Sequence, residues 1–182
     1  MEGPPPQITA KTLDDYLEQL SKGVFQAGMS WRVVDAKWST ITKAFHRFKV
    51  ERVARMADRD IDALVKDERV IRSRPKIAAV VHNANEMLSL ERAGGFKKHL
   101  RSFPEYEALA KDLKKRFKFV GDSGVYHFLW TVKEPVPDWR EWSRAHGMDW
   151  EAKVKASSAT RSRARSKTGP RAKTRVKARA GR

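Results

Sequence analysis

The stretch Arg116-Phe-Lys-Phe-Val-Gly-Asp-Ser-Gly-Val-Tyr-His-Phe-Leu-Trp130 decides how this chain folds. Before it, Tyr106, Leu109 and Leu113 recur at spacings of three and four, which is one helical face. After it, Val125, Phe128, Leu129 and Val132 repeat the pattern. Only Phe119-Val-Gly-Asp-Ser-Gly124 is left to join the two, so the segment reads as a helix–hairpin–helix. Gly121 is expected to turn the chain with a positive φ, and Asp122 or Ser123 to cap the helix that follows. Such a joint presents free backbone N–H groups and the positive end of a helix dipole, which suit a phosphate. Lys114, Lys115, Arg116 and Lys118 lie just upstream and make the local field positive. Lys118, Gly121 and Ser123 are therefore the expected phosphate contacts. A plain tight connection between two packed helices would show the same pattern.

Charge points the same way. The chain has 182 residues, enough for one domain with a real core. Lys and Arg number 39 against 22 Asp and Glu, a formal charge of +17. Residues 152–182 hold 12 of the basic residues and no acidic one, which leaves only +5 for residues 1–151. A block of this kind is expected to stay disordered by self-repulsion and to bind polyanions. There is no cysteine, which excludes disulfides and thiolate metal sites. No apolar run approaches the ~20 residues of a membrane span. Met-Glu-Gly-Pro-Pro-Pro has neither the basic start nor the apolar run of a secretory signal. The expectation is a soluble, cytoplasmic, nucleoid-associated monomer that binds double-stranded DNA and needs no cofactor, metal or membrane.

From the N-terminus, residues 1–10 read as a flexible lead. Thr12-Leu-Asp-Asp15 resembles a capping box with Asp in place of Glu. It opens a helix with Leu13, Tyr16, Leu17, Leu20 and Val24 on one face, stopping near Gly28. Ser30 is placed to cap a second helix, in which Trp31, Val34, Trp38, Ile41, Phe45 and Phe48 keep mostly helical spacing. Short helices follow around Val53 and after Asp58. Ser73 and Pro75 start a longer one that ends before Gly94-Gly95. Phe96–Phe103 reads as one more short helix, and Pro104 begins the helix into the hairpin. The total is about eight helices and no sheet. Residues 11–150 thus read as one all-α domain and 151–182 as a basic tail. Asp138 is expected to cap an aromatic segment carrying Trp139, Trp142 and Trp150.

Two separated stretches resemble one family. Phe25-Gln-Ala-Gly-Met-Ser-Trp31 is similar to the Gln-Ala-Gly-Leu-Ser-Trp signature of the 3-methyladenine DNA glycosylase I family, and Phe117-Lys-Phe-Val-Gly121 with Tyr126 and Phe128 to its second signature. Ala44-Phe-His-Arg-Phe48 and Val70-Ile-Arg-Ser-Arg-Pro-Lys-Ile77 resemble family segments in the same order. The likeness spans roughly residues 13–138, and four ordered motifs make it specific. It implies the two-lobed helix–hairpin–helix glycosylase fold and cleavage of the N-glycosidic bond of an alkylated adenine in duplex DNA. The base must first leave the stack. The resemblance makes Met29 the apolar wedge that fills the gap, and Trp31 the face on which the cationic base stacks. Both residue types serve equally as plain core.

Two departures from the family shape the expected chemistry. Eight residues before its signature Trp the family carries a Glu that contacts the base; here Gly23 stands there, preceded by Lys22. A cationic N3-alkylated base can still leave without a general acid, provided the bond is exposed and the oxocarbenium-like sugar is stabilised. Family members also tie their ends with zinc held by Cys and His, and this chain's five widely spaced histidines form no ligand cluster. Two carboxylates are candidates to replace the Glu. Asp138 resembles in position the catalytic Asp of other superfamily branches, and otherwise caps a helix. Asp35 lies four residues after Trp31 on the same face, and otherwise is solvated or pairs with Arg32. The alternative function is a catalytically silent DNA-binding protein that recognises damage or compacts the nucleoid.

Overall fold

The structure is a computed structural model that describes residues 6–147. It contains α-helices and one 3-10 turn, with no strand among the described residues. The helices are α1 (Leu13–Gln26), α2 (Trp31–Ala44), α3 (Val50–Ala54), α4 (Asp58–Lys66), α5 (Arg74–Arg92), α6 (Phe96–Leu100), α7 (Tyr106–Arg116), α8 (Asp122–Thr131) and α9 (Trp139–Ala145). The expected all-α fold is therefore what the chain adopts. The basic tail at 151–182 and Trp150 lie outside the described residues.

Helix α1 begins where its local signal says it should. The Thr12 side chain accepts from Asp15 N–H, and the Asp15 carboxylate accepts from the N–H groups of Lys11 and Thr12, both at 2.8 Å. This is a reciprocal capping box with Asp in the Glu position. Asp60 accepts from Ala57 N–H (2.8 Å), so α4 is held from inside its first turn rather than capped by Asp58. Ser30 and Ser73 occupy N-cap positions without a side-chain cap bond.

The apolar faces of the helices up to Val132 meet in one cluster, with Leu17, Val24, Phe25, Ile41, Ile77, Val80, Ala84, Met87, Val125 and Leu129 fully buried. Helix α5 is its axis, touching α1, α3, α4 and α6. Helix α2 does not run on to Phe48 as its spacing predicts. The chain breaks at His46, Arg47 and Phe48, all with φ between +52° and +56°. That turn lays Phe48 flat against Phe45 (centroids 5.5 Å) and Trp38 (5.3 Å), and core stacking offsets a backbone that L-residues disfavour.

The chain divides into two compact units after Val136. In the first, Ile8 N–H donates to Thr131 O (2.7 Å) and Gln7 Nε2 to Trp130 O (3.1 Å), so this end of the N-terminal lead is held along the close of α8. In the second, Asp138 accepts from the N–H groups of Arg140 and Glu141, capping α9, and Trp142 stacks between Trp139 (5.8 Å) and His146 (4.3 Å).

Candidate DNA-binding and base-binding site

Helix α1 ends at Gln26, and four residues later α2 begins at Trp31. Gly28 makes the reversal possible with φ +66°. Met29 N–H closes the turn on Gln26 O (3.0 Å). Met29 and Trp31 emerge on the surface, each 38% exposed, with Val33 (46%) two residues on. Trp31 is thus not sealed in the core, and the Arg32 guanidinium lies over its ring, 5.8 Å from the centroid.

The loop is fixed from beneath. Lys76, 8% exposed, sends its ammonium to Phe25 O (2.9 Å) and Ala27 O (2.6 Å). These carbonyls sit at the end of α1, where the helix dipole is negative and a cation is favoured. Burial holds the Lys76 amine below its usual value.

Gly23 lies inside α1, and a Cβ added there would meet no atom within 4 Å. The neighbouring Lys22 does not present a free charge. It pairs with Asp35 at 2.7 Å and lies 5.6 Å from the centroid of Trp38, whose Nε1 donates to Glu18 (3.0 Å). The expected pairing of Asp35 with Arg32 is therefore wrong. Lys22 of α1 reaches across to α2, whereas Arg32 turns toward Trp31. Asp138 belongs to the second unit, where its carboxylate accepts two backbone N–H bonds.

The hairpin takes the expected place between α7 and α8, but its turn is made differently. Gly121 has φ −88° and ψ −174°, extended backbone open to any residue. The left-handed residue is Phe119, with φ +56°. Gly121 is the N-cap of α8, so Asp122 and Ser123 lie inside the helix rather than capping it. Phe117 and Val120 turn into the core, and Phe119 points out, 47% exposed. Asn83, fully buried, grips the hairpin at both backbone groups of Lys118: its Oδ1 accepts from Lys118 N–H (2.7 Å) and its Nδ2 donates to Lys118 O (3.1 Å). His82 Nε2–H donates to Arg116 O (3.0 Å).

The field at the hairpin is less positive than four basic residues imply. Arg116 is bound by Glu86 (2.8 Å) and Asp112 (3.0 Å), hydrogen bonds that also raise its pKa, and Lys114 is paired with Asp122. Among the described residues Lys115 and Lys118 have no ion-pair partner. A second basic region lies at the other ends of α2 and the 3-10 turn. Lys43, His46, Arg47, Lys49 and Arg52 line a shallow depression of ≈ 420 Å³, and only Lys49 is paired, with Asp14. Lys43 lies twelve residues along α2 from Trp31, roughly 18 Å at the helical rise.

Sequence reading missed Lys76, Asn83 and Phe119. The signal for the first two was present. Polar residues at 76 and 83 fall on the buried side of α5, beside Ile77 and Ala84, seven residues apart and so on one face. As for zinc, no group of three or more His, Cys, Asp or Glu among the described residues has metal-binding geometry, and the chain lacks cysteine. The residues present do not fit that ion.

The methyladenine glycosylase family model matches residues 10–107, just over half of the chain. The chain belongs to that family. The hairpin lies beyond the matched stretch. The DNA-3-methyladenine glycosylase of Haemophilus influenzae is 36% identical over 129 residues, 59% of this chain and 70% of the relative. DNA-3-methyladenine glycosylase 1 of Escherichia coli is 36% identical over 126 residues, 57% and 67%. Among solved structures, a crystal structure of 3-methyladenine DNA glycosylase I superposes with TM-score 0.61 at 30% identity, covering 69% of this chain and 81% of that one. The Staphylococcus aureus enzyme, whose structure addresses 3-methyladenine recognition, gives 0.61 at 28%, covering 69% and 78%. The structural likeness covers a larger share of the chain than the family model does.

Proposed function

We propose that the protein is a DNA-repair glycosylase that releases 3-methyladenine-type alkylated purines from duplex DNA. The observation that carries this reading is the exposed Met29–Trp31 pair on a loop anchored by a buried lysine, in a chain of this family. In this reading the damaged nucleotide leaves the stack, Met29 fills the gap and Trp31 stacks on the cationic ring. The N-glycosidic bond then breaks with its electron pair going to the base, which is neutralised. Water adds to the sugar carbon and loses a proton. Gly23 leaves open space on α1 at the position where the resemblance puts a carboxylate. Asp138 and Asp35, the latter one turn after Trp31 and paired with Lys22, are the two candidates to stabilise the developing positive charge. The backbone N–H groups at Gly121 and Ser123, with Lys118, hold the phosphates flanking the lesion. The protein acts as a monomer on DNA in the nucleoid, and no described helix is long and apolar enough to cross a membrane.

The test is release of free base from alkylated duplex by the purified chain. Release above a buffer control supports the reading, with Asp35→Asn and Asp138→Asn identifying the carboxylate by which one slows it. Tight duplex binding without release would instead support the second reading, a catalytically silent DNA-binding protein. The basic depression around Arg47 and the 12 basic residues of 152–182 favour that one.

A further inference from the structure

The basic depression at the far end of α2 takes no part in the base-binding site, and two of its features call for a partner. The first is charge. All five side chains that line it, Lys43, His46, Arg47, Lys49 and Arg52, are basic and exposed. Among the described residues Lys43, Arg47 and Arg52 have no ion-pair partner, and the Asp14 carboxylate is engaged by Lys49 and Val50 N–H. The negative end of the α2 dipole amounts to about half a charge, too little to cancel three unpaired cations. The second feature is the backbone. His46 and Arg47 are left-handed, with φ +54° and +56°, a conformation that glycine adopts at lower cost. Stacking on Phe45 and Trp38 accounts for Phe48 but not for its two exposed neighbours. Their side chains are what these positions retain.

The make-up of the depression says what it takes. No aromatic side chain lines it, and the nearby Phe45 and Phe48 are buried, so it offers no face on which a base could stack. Cations without a stacking group suit the sugar–phosphate backbone, which a duplex presents at every ~3.4 Å on each strand. Arg47 and Arg52 bring the fork geometry that grips phosphate oxygens in pairs. Helix α2 sets the placement. Trp31 is its first residue and Lys43 lies in its last turn, roughly 18 Å away along the helix. Phosphates adjoining a base on Trp31 lie within one or two ~3.4 Å steps of it along the duplex. They stay with the hairpin, and the depression meets others. An offset of roughly 18 Å is about half a turn of B-DNA.

We propose that the depression from Lys43 to Arg52 is a second DNA-backbone site, which holds phosphates of the lesion-bearing duplex beyond those that flank the lesion. The contact with duplex DNA is common to both functional readings. Its placement away from the lesion rests on Trp31 facing the damaged base. A site of this kind reads no sequence and adds affinity for damaged and intact DNA alike. Because it shares one helix with Trp31, it fixes the direction in which the duplex leaves the base-binding loop.

The experiment uses the full chain throughout, so that only the depression differs. Lys43→Gln, Arg47→Gln and Arg52→Gln are combined and compared with wild type on two duplexes with a central abasic-site analogue, one of 25 pairs and one of nine. Nine pairs reach about 14 Å either side of the lesion, short of the depression. On the long duplex the slope of log K against log[salt] should become shallower by about 2.7, three lost contacts at roughly 0.9 each. On the short one the two proteins should bind alike. Preference for the lesion over an intact 25-pair duplex should not change. A wild-type slope on the long duplex would overturn the proposal, and loss of polyglutamate binding in the same variant would then assign the depression to an acidic protein segment. An equal loss on both duplexes would put the contact at the lesion and refute the placement. A second probe serves if the triple variant does not fold. The chain has no cysteine, so Ser39→Cys, at an exposed position one turn before Lys43, takes a single iron chelate that generates hydroxyl radicals. It should cut the 25-pair duplex at one focus several pairs from the lesion; uniform cutting, or none, would refute the site. If wild type binds no duplex at all, both functional readings fail and this proposal with them. Wild-type binding with an inert depression sinks this proposal alone.

Discussion

Trp31 is the residue on which the proposed chemistry turns, and its exposure makes a sharp expectation possible. Stacking on a flipped base is worth roughly 1–3 kcal/mol. Trp31→Ala should therefore weaken binding to a lesion duplex by about that amount and leave intact-duplex affinity nearly unchanged, as read by parallel titrations. Gly23 offers the reverse experiment. Space around its α-carbon is open, and a glycine inside a helix is a weak helix former. Gly23→Glu should raise stability by about 0.5 kcal/mol and increase release of 3-methyladenine in a base-release assay. At the start of α1, burial pushes the Asp15 carboxyl up, but hydrogen bonds from the N–H groups of Thr12 and Lys11 outweigh it and hold the group below its ordinary 3.8. A folded value below the unfolded one adds stability above about pH 3.8 that is lost as pH falls through the folded value. Asp15→Asn keeps an acceptor without the titration. A plot of thermal midpoint against pH should fall less steeply for that variant below pH 4 than for wild type.

At the scale of elements, α5 does more than fill the core. Its buried apolar face fixes it, and its two buried polar residues export that rigidity to the surface segments on either side. Lys76→Met would keep the volume and remove the donors, leaving Phe25 O and Ala27 O short of partners at the end of α1. The cost is about 2–4 kcal/mol, measurable as a lower denaturation midpoint. Base release should drop further than the loss of folded protein explains, because Met29 would no longer be held in one place. The hairpin shows what a motif conveys and what it leaves open. The apolar periods of α7 and α8 and the short joint between them were legible as residues. The division of labour within the joint was not: glycine at 121 is extended and phenylalanine at 119 is left-handed. The grip of Asn83 on Lys118 comes from 35 residues away, and local propensity carries no record of it.

For the whole molecule, charge is the dominant property. Residues 152–182 carry 12 basic residues and no acidic one, and we infer that they act as a polycation on any duplex. If about six of them neutralise phosphates at once, log K should fall with log[salt] at a slope near −5. Salt titrations of the full chain against residues 1–151 should show most of that slope vanish on truncation. Any preference for damaged over intact DNA should survive, since such contacts read no bases. Equal slopes for the two forms would refute a role for the tail in binding.

The sequence by itself determined the helical class, the order of the helices, the capping box at Thr12–Asp15 and the family motifs. Each depends on residues close together in the chain, where spacing of apolar side chains and competition for a few N–H groups decide the outcome. Tertiary structure decided the charges and the turns. Lys22 finds Asp35 instead of leaving it to Arg32, Arg116 spends its charge on Glu86 and Asp112, and three left-handed residues stop α2 so that Phe48 can stack on Trp38. Long side chains reach whichever partner packing brings within 3 Å or so, and a strained backbone persists only where distant contacts outweigh its local cost.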